Sequence, residues 1–296
     1  SSSYRASRGV WTQDAKMETA AHPNKGPHQG IAGLAFAGFG DPVFNRQQMG
    51  STDMGNGWQE TQDPAAKSAG QGGMFRYRGI RVHEKLEREK ENVTLEKLNR
   101  LPDTRQEILS IAASLHADPV KDTHLGVEAS EEAVKHADLS DRKVIVFASH
   151  ALLPGDLDGL VQPAIALSSP LVTGGEEDGL LTMGEVMGLK LDSDWVVLSA
   201  CNTAAGNGAG AEAVSGLGQA FFYAGTRALL VTSWAVETTS ARAYTESFFR
   251  RRAMQPEMDR AKALQETRRE IMNKNGAGFS YAHPIFWAPY IMVGSN

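Results

Sequence analysis

Two apolar segments of the sequence each end in a side chain that can do chemistry. One runs from Lys143 to His150, and the other runs from Asp194 to Cys201, the single cysteine of the chain. Short runs rich in branched and aromatic residues predict strands that are buried on both faces. The thiolate is the attacking form of cysteine, so a nucleophilic cysteine needs a neighbouring base. The two segments therefore predict a nucleophilic site with Cys201 as nucleophile and His150 as base.

Such a site has further requirements. The two strands must be parallel and close, because side chains gather for chemistry at the carboxyl ends of parallel strands. Acyl transfer also needs donors for the oxyanion, and the backbone N–H groups of Ala151 and Cys201 are the natural candidates. Among the eight histidines, His283 is the second choice of base.

The elements around these segments alternate between strand and helix, which predicts a mostly parallel α/β sheet with helices on both faces. Thr104 and Glu107 have the spacing of a helix capping box. We predict strands at Ile31–Ala37, Val120–Leu125, Lys143–His150, Trp195–Leu198, Arg227–Ser233 and Ala288–Val293. We predict helices from Leu101 onward and at Ser130–His136, Leu217–Ala224, Thr238–Arg252 and Met258–Asn273, and a short helix within Leu180–Leu191.

The length suits one domain over residues 1–296, interrupted by an insertion at 45–100. Residues 45–75 are rich in Gly, Ser, Asn and Gln, which predicts a flexible segment. Residues 76–100 carry dense mixed charge, as in a solvated helix. The chain begins with Ser rather than Met, so we expect N-terminal partner domains in a longer protein.

Composition excludes several classes of function. A net charge of −5 argues against a nucleic-acid surface, and no apolar run reaches the roughly 20 residues of a membrane span. A single cysteine forms no internal disulfide, which suits the cytoplasm. The glycines at 206–210 lack the Lys and Ser/Thr of a phosphate-binding loop. We expect no cofactor and no metal.

Six motifs of the chain together resemble a known family. They are Phe147-Ala-Ser-His-Ala, Asp178-Gly-Leu-Leu-Thr, Val197-Leu-Ser-Ala-Cys-Asn-Thr-Ala, Gly216-Leu-Gly-Gln-Ala-Phe, Ala224-Gly-Thr-Arg-Ala-Leu-Leu-Val and His283-Pro-Ile-Phe-Trp-Ala. This set is similar to the CHAT domain, a caspase-like peptidase domain that is often fused to tetratricopeptide repeats in bacteria. The resemblance covers roughly Gly30 to Gly294, without the insertion.

The resemblance implies a caspase–haemoglobinase fold and a His-Cys dyad, here His150 and Cys201. Their separation of 51 residues matches the caspase spacing. It also implies a bacterial, cytoplasmic setting, with a regulatory repeat domain or activator as partner. Two features depart from caspases: Ser-Ala-Cys-Asn-Thr replaces the caspase cysteine signature, and Ala151 stands where glycine usually follows the histidine.

Substrate recognition is harder to assign. An extended substrate is expected along the strand ending at Ser233, where Trp234 either walls a subsite or packs internally. One of four acidic side chains near expected strand ends or cleft loops could bind a basic residue before the cut, although composition favours a solvated surface carboxylate for any single one of them. These are Asp178, Asp194, Glu212 and Glu237.

The sequence thus favours a cysteine endopeptidase that cleaves a protein or peptide substrate. A catalytically silent interaction scaffold is the main alternative, but a scaffold has no need of a dyad. A different thiol hydrolase or acyltransferase is a third possibility, weakened because no coenzyme site is recognisable.

Overall fold

A computed structural model describes residues 35–50, 93–200, 209–234, 236–276 and 279–294 of the chain. The strands are β1 (Phe36–Gly40), β2 (Thr123–Leu125), β3 (Val144–Ala148), β4 (Ala151–Leu152), β5 (Ala164–Ala166), β6 (Leu180–Thr182), β7 (Trp195–Leu198), β8 (Ala228–Thr232), β9 (Asn275–Gly276), β10 (Phe279–Ser280) and β11 (Tyr290–Gly294). The helices are α1 (Arg46–Met49), α2 (Asp103–Ser114), α3 (Glu131–His136), α4 (Pro170–Thr173), α5 (Met183–Gly188), α6 (Ala209–Ala224), α7 (Thr238–Met254) and α8 (Arg260–Met272).

The central sheet has six strands in the order β11-β8-β7-β3-β1-β2. The five strands from β8 to β2 pair in parallel, and β11 pairs antiparallel with β8 at the edge. This arrangement confirms the predicted α/β class with a mostly parallel sheet. It also fits the position of Pro289 just before β11, because proline is tolerated at the start of an edge strand.

Alternate residues of each strand enter different cores, as the two-residue period of a strand requires. Val144 and Val146 of β3 pack on the side of α2, α7 and α8. Ile145 and Phe147 pack on the other side, which α3, α5 and α6 cover. Both faces are therefore covered, which explains why these strands have continuously apolar sequences.

A smaller sheet continues from the carboxyl end of β3. It has the order β4-β5-β6, and its pairs are antiparallel. The carbonyl of His150 accepts the amide of Ala166 at 2.9 Å, so the small sheet begins at the histidine itself. Phe44, Leu152 and Ala164 form part of its own apolar cluster.

The first strand differs from the prediction. Residues 31–34 lie outside the described part, and the described strand extends through Gly38 and Gly40, where a turn was expected. These glycines are needed because α2 packs directly on β1: a Cβ on Gly38 would lie 2.6 Å from Cγ2 of Ile108. The glycines reflect close helix packing and not a chain reversal.

The predicted short helix within residues 180–191 is present as α5, and the short strand β6, which was not predicted, precedes it. One other local prediction is wrong. Thr104 and Glu107 do not form a capping box: the Thr104 hydroxyl donates to Leu101 and accepts from the Asp41 amide, and Glu107 accepts from Thr245. Tertiary partners have replaced the local hydrogen bonds that the spacing suggested.

The predicted insertion at 45–100 falls largely on residues 51–92, which lie outside the described part of the chain. Its described ends form α1 and a single 3-10 turn at Leu95–Lys97. The proposed flexible segment and charged helix of the insertion therefore stay predictions. The same applies to the single-domain organisation of residues 1–296.

Candidate active site

The carboxyl ends of β3 and β7 lie side by side. The two strands pair in parallel with Phe147 opposite Leu198, and the Ser199 amide donates to the carbonyl of Phe147 at 2.9 Å. His150 follows Phe147 by three residues, and Cys201 follows Leu198 by three residues. The pairing brings His150 and the chain that leads into Cys201 to one edge of the sheet.

Cys201 itself lies outside the described residues, which stop at Ala200 here. The two residues before the cysteine are buried, with 2% exposure for Ser199 and for Ala200. The carbonyl of Ala200 accepts a hydrogen bond from Oγ1 of Thr232, at the end of β8. The chain is thus anchored to both neighbouring strands up to the residue that precedes the predicted nucleophile.

His150 is held in one ring orientation. It is 4% exposed, its Nε2 lies 2.7 Å from the carbonyl oxygen of Asn99, and its ring packs against Phe44 with centroids 5.7 Å apart. A carbonyl oxygen can only accept, so Nε2 carries a proton in this contact. In the neutral imidazole Nδ1 is then the basic nitrogen.

The backbone N–H of Ala151 is not directed at the neighbouring strand of the small sheet. Ala151 lies opposite Ile165 in the β4–β5 ladder, and the flanking pair His150–Ala166 exchanges a backbone hydrogen bond. Bonded and non-bonded pairs alternate in an antiparallel ladder. The N–H of Ala151 is therefore directed away from β5, on the outer side of β4.

A charged cluster next to His150 was missed by the sequence analysis. Asp41 follows β1, the strand beside β3, and is fully buried. Its two carboxylate oxygens accept from Nε and Nη2 of Arg100 at 2.7 and 2.8 Å, and one of them also accepts from Nε of Arg105 at 2.9 Å. A polar residue directly after a buried strand was the signal that identified His150, and the same signal applied to β1 would have found Asp41.

The model of the CHAT domain family matches residues 10–295, nearly the whole chain. The chain belongs to the CHAT family. The sheet and helices of this CHAT domain agree with a caspase-like α/β fold, and the family is one of caspase-like peptidases. No curated protein sequence matches the chain.

The candidate recognition carboxylates of the CHAT domain are scattered. Asp194 precedes β7, so it lies at the amino end of the strand whose carboxyl end leads to Cys201, and it pairs with Arg227 at 3.0 Å. Glu237 is 4% exposed and caps α7 by accepting from the amides of Thr239 and Ser240. The structure therefore gives both carboxylates partners of their own, and it places Asp194 away from the His150 edge.

The remaining candidates are less constrained. Asp178 is exposed beside the small sheet, where it accepts from the Leu180 amide at 2.8 Å. Trp234 follows β8 and is 38% exposed, so part of its ring faces the solvent at the carboxyl edge. The side chain of Glu212 lies outside the described part of the chain.

His283, the second choice of base, is exposed and has a local role. Its Nδ1 accepts from the amide of Ile285 at 3.2 Å, which caps a 3-10 turn at Pro284–Phe286. The described contacts do not join His283 to β3 or β7. They favour His150 over His283 as the base of the site.

A second charged cluster has the ligand types of a metal site. Oxygens of Glu131, Glu177 and Glu185 lie within 4.8 Å of one another. The ammonium group of Lys135, however, lies 2.6, 2.6 and 2.7 Å from these carboxylates. Burial lowers the pKa of Lys135, but its bonds to the three carboxylates raise it by more, so Lys135 stays charged in the position that a cation would take. These residues form an ion cluster and do not fit a metal.

Glu131 is the most deeply buried carboxylate of this second cluster, with 1% exposure. Burial, reinforced by the neighbouring Glu185 carboxylate, raises the pKa of Glu131 to about 7. Its Oε2 accepts the amide of Gly179 at 2.9 Å, which connects α3 to the chain entering β6. The cluster therefore holds the chain that enters the small sheet at β6.

No helix among the described residues combines the length and the apolar content needed to cross a membrane.

Proposed function

We propose that the CHAT domain is a caspase-like cysteine endopeptidase with Cys201 as nucleophile and His150 as general base and acid. One observation carries the proposal: the parallel pairing of Phe147 with Leu198. Phe147 and Leu198 lie side by side, and His150 and Cys201 each follow three residues later in the sequence. A thiol and an imidazole that meet at one sheet edge would be the minimum apparatus for cysteine nucleophilic catalysis.

The first chemical step is proton transfer from the Cys201 thiol to Nδ1 of His150. The resulting imidazolium carries protons on both nitrogens, and its Nε2–H remains bonded to the carbonyl of Asn99. That bond becomes charge-assisted when the ring is protonated, which strengthens it. The Asn99 carbonyl thus favours the state in which Cys201 is a thiolate.

The thiolate then attacks the scissile carbonyl carbon, and the carbonyl oxygen becomes an oxyanion. We assign the donors to the backbone N–H groups of Ala151 and Cys201. The orientation of Ala151 in β4 supports this role, because its N–H is directed away from β5. The methyl group of Ala151 is small, and oxyanion stabilisation uses the backbone amide and not the side chain.

Collapse of the tetrahedral intermediate breaks the carbon–nitrogen bond of the substrate. The His150 imidazolium gives its Nδ1 proton to the leaving amine, and the acyl group stays on Cys201 as a thioester. Water then attacks the thioester, with neutral His150 accepting its proton. The second collapse releases the carboxylic acid and regenerates the thiol.

We place the substrate along the end of β8, beside Trp234, as an extended strand. The exposure of Trp234 supports a wall for one subsite. Of the four acidic candidates, Asp178 is exposed, whereas Asp194 and Glu237 already serve Arg227 and the start of α7. We further expect the CHAT domain to work in the cytoplasm of a bacterium, under control of a repeat domain or another activator.

The test is cleavage of a fluorogenic peptide library by the parent chain, C201A, H150A and H283A. Loss of a general base typically costs a factor of about 10²–10⁴, so we expect C201A and H150A to lose cleavage. H283A is the matched control and should cleave at the parent rate with the same preference. Cleavage that persists in C201A would contradict the proposed nucleophile.

A second measurement separates a silent scaffold from a peptidase that awaits its activator. Peptidyl acyloxymethyl ketones with different residues before the warhead should label Cys201 in the parent and fail to label C201A or H150A. If no peptide is cleaved and no ketone labels Cys201, even when the proposed repeat domain or activator is added, the scaffold function is supported in place of the peptidase.

A further inference from the structure

The chain just before α2 connects His150 to the buried Asp41. Asn99 provides the carbonyl oxygen that lies 2.7 Å from Nε2 of His150. Arg100 is the next residue, and its guanidinium binds Asp41. We propose that Arg100 is a positioning residue, which keeps the carbonyl of Asn99 on the imidazole of His150. This role rests on the proposed function of His150 as base.

The covalent link between the two residues makes this effect direct. The Asn99 carbonyl and the Arg100 nitrogen belong to one peptide group, which is planar and resists rotation. Whatever fixes the backbone of Arg100 therefore sets the direction of the Asn99 carbonyl. The side chain of Arg100 supplies that anchor, because it is extensively bonded and only 15% exposed.

Arg100 is bound at all three of its guanidinium nitrogens. Nε and Nη2 donate to the two oxygens of Asp41 at 2.7 and 2.8 Å, and Nη1 donates to the carbonyl of Gln48 at 2.8 Å. A bidentate arginine–carboxylate pair fixes orientation as well as distance. Gln48 also donates from its side chain to the carbonyl of Leu98 at 2.8 Å. The residues on both sides of the Asn99 carbonyl are therefore anchored.

The backbone of Asp41 is itself held in place, so Asp41 can anchor the side chain of Arg100. It directly follows β1, which pairs with β3 up to Gly40 opposite Ala148. Its amide donates to Oγ1 of Thr104 at 2.7 Å, and its backbone has φ of 57°, a left-handed conformation that Asp tolerates better than most residues. β3 thus holds the backbone of His150, and β1 holds the partner of its ring.

Arg105 offers a natural control for this argument. It binds the same carboxylate, with Nε at 2.9 Å from Asp41, but it lies in α2 and is not part of the peptide group at Asn99. Removing either arginine deprives Asp41 of a cation. Removing Arg100 also frees the Asn99 carbonyl, so the two variants separate a loss of charge from a loss of position.

The experiment measures the tautomer of His150 directly. Protein labelled with 15N in its histidine rings is prepared in the C201A background, and the imidazole resonances are assigned with H150Q. We expect the neutral ring of His150 to carry its proton on Nε2. R100M should produce a mixture of tautomers, and R105M should keep the Nε2–H form. R100K, which keeps the charge but forms fewer of the three bonds, should lie between them.

The corresponding kinetic comparison uses chains with Cys201 intact. A loss of orientation at a catalytic group costs up to about 10²-fold, so we expect kcat/KM of R100M to fall by roughly that factor, mostly in kcat. R105M should stay close to the parent, and R100K should recover part of the loss. If R100M does not fold, the shift of R100K relative to R105M decides the same question.

Two results would overturn the proposal: a His150 ring that keeps the Nε2–H tautomer in R100M and R100K, or a tautomer shift in R105M as large as that in R100M. The tautomer is read without substrate turnover. Failure of the positioning role is therefore distinguishable from failure of the peptidase function, which would appear as an inactive parent chain with a normal His150 tautomer.

Discussion

Asp41 and Glu131 are both carboxylates with almost no exposure, yet the ions around them differ in sign and number. Asp41 lies between two arginines, Arg100 and Arg105. Glu131 shares the single ammonium group of Lys135 with two further carboxylates. The first cluster has an excess of cations, and the second has an excess of anions.

The difference follows from what each cluster holds in place. The Asp41 cluster is built from arginines, whose charge is permanent and whose planar fork fixes direction. It supports the ring partner of His150. The Glu131 cluster has too few cations for its carboxylates, so one of them takes up a proton near neutral pH, as the raised pKa of Glu131 indicates. It supports the small sheet, where pH can change stability without altering the direction of the His150 ring.

The largest loss of stability is expected from a change in the cluster of Asp41. D41N tolerates the left-handed backbone but leaves two arginines without their carboxylate, and removing one member of a buried ion pair costs about 3–5 kcal/mol. We expect the free energy of unfolding in urea to fall by roughly this amount at pH 8. D141A, a change of an exposed carboxylate, is the control and should stay within about 0.5 kcal/mol of the parent. If D41N loses as little stability as D141A, the ion pairs between Asp41 and the two arginines do not form in solution.

K135M should cause the next largest loss of stability. It leaves Glu131 buried without its cation, and because Lys135 is 26% exposed we expect about 2–3 kcal/mol at pH 8, below the full cost of a buried pair. At pH 5 the loss should be clearly smaller, since Glu131 is then protonated. Urea unfolding at the two pH values measures the difference. Equal losses at pH 5 and pH 8 would contradict the role of Glu131.

The parent chain should show a pH dependence of its own from Glu131. Its pKa is raised from 4.5 in the unfolded chain to about 7 in the folded protein, so the folded protein binds this proton more tightly. The resulting stability is complete below about pH 4.5 and is lost as the pH rises through about 7. A shift of one pKa unit corresponds to about 1.4 kcal/mol, which sets an upper limit on the contribution of Glu131 to stability. We expect a smaller contribution of about 1–2 kcal/mol over this pH range, because the Lys135 ammonium group can adjust its position when Glu131 changes its charge.

E131Q is the control for that pH dependence, because it removes the titrating group. The readout is the change in melting temperature between pH 5 and pH 8, which should be smaller in E131Q than in the parent. Other groups titrate in both chains and cancel in this comparison. Parallel curves for the two chains would show that Glu131 does not titrate in this range.

E177Q should have the smallest effect. Glu177 is 35% exposed, and exposed ion pairs contribute about 0–1 kcal/mol, so we expect a loss of less than about 1 kcal/mol at pH 8. Its removal also relieves the excess of negative charge around Lys135. Urea unfolding of E177Q and K135M under the same conditions measures the two losses of stability. If the two losses are equal, Lys135 stabilises the protein mainly through its ion pair with Glu177 and not with Glu131.

Much of the fold could be predicted because its signals are local. The apolar runs at β3, β7 and β8 are long enough to identify buried strands, and the helices α3, α7 and α8 lie close to their predicted positions. The proposed roles of His150 and Cys201 came from residue type at the ends of those runs. The structure adds that β3 and β7 are neighbours, whereas the role of Cys201 stays a prediction outside the described residues.

The wrong local predictions have a common cause: residues at a given spacing in the sequence can contact different partners in the folded protein. Thr104 and Glu107 have capping-box spacing, but they bind Asp41 and Thr245. Gly38 suggested a turn and instead allows Ile108 to approach β1. Asp194 was expected near the cleft because it flanks a strand, and only the strand direction decides which edge it reaches.

The sequence by itself determined the class of the sheet and its buried strands, and it suggested Cys201 and His150 as the proposed nucleophile and base. Periodicity and residue type suffice for these, because they depend on neighbours within a few positions of the chain. Tertiary structure alone decided the pairing of Asp41 with Arg100 and the contact of the Asn99 carbonyl with His150. These partners are 59 and 51 residues apart, and contacts at such separations depend on how strands and helices pack.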